Sequence, residues 1–86
     1  MQSTSRFEAT ASLQLHALIA DLNWRVQMLE RDIAEEERRS GSADPGSPAY
    51  STLALSLRAR RDNLRDSIAM LEGRVERTTA QVPRAA

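Results

Sequence analysis

The chain has 86 residues, 41% hydrophobic but only 3% aromatic, and its twelve basic residues balance twelve acidic ones to a formal charge of zero. That length holds one small domain at most, and a single Phe, Trp and Tyr are too few rings for a broad globular core, so a thin aliphatic seam is expected. Zero net charge removes any bulk pull toward nucleic acid or acidic lipid, while the lack of Cys excludes disulfides and thiol chemistry and one His leaves almost nothing for a transition metal.

No apolar run approaches the ~20 residues that cross a bilayer, and residues 1–11 lack a basic stretch leading into a hydrophobic one. The expectation is a complete cytoplasmic chain with no cofactor and no membrane contact. Glycine and proline are confined to Gly41, Pro45, Gly46, Pro48, Gly73 and Pro83, which leaves two long uninterrupted stretches on either side of residues 40–47. Ser5 and Glu8 have capping-box spacing and predict a first helix over about 6–39, with Arg38 and Arg39 against its last carbonyls and Gly41 as its stop. Residues 40–47 form the loop. Ser47 followed by Pro48 is the expected cap and first position of a second helix over about 48–78. Its apolar spacing runs past Gly73 to Val75, so it should end between Glu76 and Ala80, with residues 79–86 as a frayed tail.

Leu15, Ile19, Leu22, Val26, Leu29 and Ile33 are spaced 4, 3, 4, 3, 4, a heptad seam with Ile19, Val26 and Ile33 at position a and the leucines at d. Tyr50, Leu57, Leu64 and Leu71 repeat position d in the second helix, and Ala54, Arg61, Ile68 and Val75 repeat a. The fold class is therefore all-α, a two-helix antiparallel coiled-coil hairpin. If the chain folds back about Pro45, facing residues have numbers summing to about 90, and every a meets a d: Ile33 with Leu57, Leu29 with Arg61, Val26 with Leu64, Leu22 with Ile68, Ile19 with Leu71 and Leu15 with Val75. In an antiparallel pair e faces e and g faces g, which predicts Glu30 against Arg58, Asp32 against Arg60 and His16 against Glu72. Parallel self-pairing would set Asp32 near Glu37 and Arg60 near Arg65, each like-charged. Such exposed pairs contribute about 0.2 to 1 kcal/mol each, so they select the register more than they stabilise it.

One seam of about a dozen large side chains is little against the entropy of ordering two long helices. A second apolar surface is present. Leu13, Ala17, Ala20, Trp24 and Met28 run down the outer side of the first helix at helical spacing, and Leu18, Leu53, Leu55 and Met70 also lie outside the seam. Two hairpins packing through these residues would make a homodimeric four-helix bundle. Trp24 stands at position f, which a simple coiled coil fills with a polar residue, so it marks a protein-interaction site.

Other residues have structural explanations. Arg58, Arg60, Arg61 and Arg65 could present guanidiniums to phosphates, yet no interleaved aromatic offers a base a stacking surface, and acidic neighbours face two of them; Arg61, at an a position, suits a register-fixing role. Asp32 and Glu35 to Glu37 read as a solvated acidic turn, since consecutive helical carboxylates point in different directions. His16 lacks a nearby nucleophile and is expected simply to pair with Glu72. The reading is a non-enzymatic helical protein-interaction or scaffold module acting through self-association. The alternatives are a small nucleic-acid-binding regulator using Arg58, Arg61 and Arg65, and a secretion-type helical chaperone or subunit whose apolar stripe another helical protein covers. The hairpin plan resembles that of plasmid copy-control bundles and of needle subunits and small chaperones of type III secretion, a topology common to many unrelated chains, and no residue motif carries the resemblance.

Overall fold

The computed structural model describes residues 2–81, with side chains from 10 to 77, as two helices, α1 (Gln2–Ser40) and α2 (Thr52–Gln81), folded back into an antiparallel hairpin. The rod is 60 Å long and 18 by 15 Å across. Helix α1 begins earlier than the Ser5 and Glu8 spacing predicts: Ser5 lies inside it, because no Gly or Pro interrupts the backbone from Gln2 onward. It stops where expected. Gly41 takes a φ of 81° and donates its N–H to the Glu37 carbonyl at 3.0 Å, the single-bond left-handed cap that a side chain at this position would strain.

The loop closes by two consecutive turns, each opened by a short polar residue and a proline. Ser47 N–H donates to the Asp44 carbonyl at 3.0 Å across Pro45 and Gly46, with Gly46 N–H also held by Asp44 Oδ1. Tyr50 N–H then donates to the Ser47 carbonyl at 3.1 Å across Pro48 and Ala49, while Ser47 Oγ accepts from Ala49 N–H. Proline supplies the φ that the second residue of such a turn needs, and Asp or Ser ties the turn internally. Ser47 and Pro48 therefore make a turn and not the predicted helix start. The cap is Ser51, whose Oγ accepts from Ala54 N–H at 3.2 Å while its carbonyl takes the first helical bond, from Leu55 at 3.1 Å. Helix α2 continues through Gly73 to Gln81, beyond the expected end, and the rest of the predicted tail, 82–86, lies outside the described residues.

Among the described residues seven hydrophobic ones are buried, Val26, Leu29, Ile33, Tyr50, Ala54, Ile68 and Leu71, and all seven occupy a or d positions of the predicted seam. Leu15, Ile19, Leu22, Leu57, Leu64 and Val75 are half-buried on the same seam. Near the loop the register is close to the expected one: Tyr50 bonds to Glu37 and Ser51 to Glu36, each pair summing to 87. Arg61 keeps its place at an a position with its side chain 14% exposed, its guanidinium turned out to Asp62 at 3.1 Å.

Candidate interaction surface

A two-helix hairpin has two flat faces on which both helices show, one carrying the e positions and the other the g positions. The e face is bridged across the seam. Arg58 reaches Glu37 at 3.9 Å and Arg65 pairs with Glu30, while Tyr50 donates its hydroxyl to Glu37 at 2.7 Å and Ser51 donates to Glu36 at 2.9 Å. Burial, and after it the hydrogen bond to Glu37, raise the Tyr50 phenol above its ordinary value.

These bridges correct the predicted partners. Glu30 pairs with Arg65 and not Arg58, one heptad away, because side chains on a helix lean toward its N-terminus: arginines on α2 lean toward the loop, glutamates on α1 lean away from it, and pairs summing to 95 converge where those summing to 88 diverge. His16 does not meet Glu72. Its Nδ1 donates instead to the Ser12 carbonyl one turn back, at 2.8 Å. Asp32 and Arg60 are not joined either; among the described residues neither has an ion-pair partner.

On the g face Asp32 and Arg60 are not bridged, and the surface opens into grooves. One of about 440 Å³ runs between Trp24, Arg25 and Met28 on α1 and Arg60 and Leu64 on α2. A second, toward the loop, is lined by Asp32, Glu35, Leu53 and Leu57, and a third, toward the open end, by Gln14, Leu15, Leu18 and Arg74. Among the described residues seven large hydrophobic side chains are exposed: Leu13 at 70%, Trp24 at 57%, Met28 at 40%, and Leu18, Leu53, Leu55 and Met70. Four of them, Leu18, Leu53, Met28 and Met70, are at g or the adjoining c positions, and none is at e.

The structure leaves Leu13, Ala17, Ala20, Trp24 and Met28 exposed on the side of α1 away from the seam, and it brings Trp24 and Met28 to the rim of the central groove with residues of α2. The expected second surface included Leu18 and Leu53 but did not assign them to a face. Their g letters in the heptad were the signal that would have joined them to Met28. The three arginines of the nucleic-acid alternative each face an in-chain carboxylate: Arg58 with Glu37, Arg61 with Asp62, Arg65 with Glu30. No helix among the described residues is long and apolar enough to cross a membrane. The chain matches no family model, no curated protein and no solved structure.

Proposed function

We propose that this chain is a non-enzymatic helical interaction module that works by pairing with a second copy of itself into a four-helix bundle. The observation that carries the reading is the coexistence of a seam consumed inside one chain with seven large apolar side chains exposed among the described residues, Trp24 the largest of them. Exposed apolar side chains in such number mark an interaction surface, and bundle helices bury a third position beside a and d. The half-buried state of Leu15, Ile19 and Leu22 adds to it, because two helices alone cover their own seam incompletely. The internal compensation of Arg58, Arg61 and Arg65 weakens the phosphate-binding alternative.

Sedimentation tests the reading. The wild type should be a dimer at micromolar concentration, and Trp24→Ala should weaken it by more than tenfold, since truncating a buried interface Trp costs ~2 kcal/mol or more. A wild-type chain that stays monomeric, with the emission of a fully solvated indole, would overturn the proposal.

A further inference from the structure

The geometry points to the g face as the contact between two copies, related by a two-fold axis running along the rod, with Asp32 of each copy paired to Arg60 of the other. This rests on the self-association proposed above and specifies its face and direction. On the bridged e face Glu30, Glu37, Arg58 and Arg65 are already paired across its own seam. The g face carries three grooves, four of the seven large apolar side chains exposed among the described residues, and an acid and a base without an ion-pair partner among those residues, Asp32 on α1 and Arg60 on α2.

Their positions make the face complementary to itself, as a symmetric contact requires. With facing residues summing to 90, Arg60 stands level with residue 30 of α1, two residues or about 3 Å along the axis from Asp32. A lengthwise two-fold lays α1 of one copy over α2 of the other and keeps each level unchanged. Both Asp32 to Arg60 pairs then form at once. Leu18 comes level with the second copy's Met70, and Trp24 and Met28 flank the second copy's Leu64. The alternative, a two-fold crossing the rod at the level midway between Trp24 and Met28, stacks α1 on α1. It sets Arg25 beside its own copy and leaves each Arg60 about 15 Å along the rod from the other copy's Asp32.

Asp32→Arg and Arg60→Asp test this. Both residues are exposed, so each variant should keep wild-type helicity by circular dichroism. Alone, each places two like-charged contacts in its dimer, and its dissociation constant should rise about tenfold. Mixed in equal amounts, the two variants restore both opposite-charge pairs in the heterodimer, and only there, so the mixture should recover to within about twofold of wild type. A nitroxide on Ala43→Cys, unique in this cysteine-free chain, reads the direction: below about 30 Å between loops for the lengthwise axis, about 50 Å for the crosswise one. A dimer whose mixed variants fail to recover, or whose loops lie ~50 Å apart, overturns this geometry and leaves self-association standing. A monomer at every concentration overturns both.

Discussion

The two flat faces of the hairpin come from the same two helices and share one seam, yet one is laced shut by Glu37 with Arg58 and Glu30 with Arg65, and the other lies open between Trp24, Met28 and Leu64. The difference lies in the residues flanking a and d. On the e side those flanks are polar throughout. On the g side Leu18 and Leu53 replace polar flanks, and Met28 and Met70 continue them outward. Exposed ion pairs add little stability, so the laced face serves chiefly to fix which way the helices pair and to remain hydrated, whereas the open face keeps its apolar surface for another contact.

The most damaging change should be to the seam on which both faces depend. Ile33 is 4% exposed, and Ile33→Ala should destabilise the hairpin by about 2 to 4 kcal/mol, with large loss of helicity in a urea titration followed by circular dichroism. An effect below ~1 kcal/mol would mean that the helices do not pack through this seam. Ser51 comes next. Ser51→Ala removes the cap of α2 and the bond to Glu36 together and should cost about 1 to 2 kcal/mol, while Ser47→Ala, which loosens only a turn, should cost less. Equal losses would place the helix start back at Ser47. The smallest effect sharpens the laced face: exchanging charges at Glu30 and Arg65 should show a coupling of a few tenths of a kcal/mol, larger than the coupling between Glu30 and Arg58. The reverse order would restore the simpler pairing by facing residues.

Heptad spacing carries the fold, so the antiparallel hairpin and its buried residues could be read directly from Ile19, Val26, Ile33 and their α2 counterparts. Ion-pair partners could not, because counting by level ignores the lean of each side chain, and that lean moved Glu30 from Arg58 to Arg65. The start of α2 was misplaced for another reason. Ser47 with Pro48 and Ser51 with Thr52 are both good caps locally, and Pro48 suits the second place of a turn as well as the first turn of a helix. The exposed stripe was legible on α1 residue by residue. Leu53, Leu55 and Met70 of α2 could be named as part of the same surface but not sorted onto its faces, because a face made by two helices is defined by the seam between them and not by either helix alone.

The paired turns between Gly41 and Ser51 also order the events of folding. Tyr50 meets Glu37 across 13 residues and Ser51 meets Glu36 across 15, whereas Arg65 and Glu30 are 35 apart. The entropy of closing a loop grows with its length, so the contacts beside the turns are the cheapest to make, and each one shortens the loop that the next must close. The hairpin is thus arranged to zip from the turn toward its free ends, which makes the loop-side bonds of Ser51 early contributors to the folding rate and the far-end contacts of Leu15 and Val75 late ones.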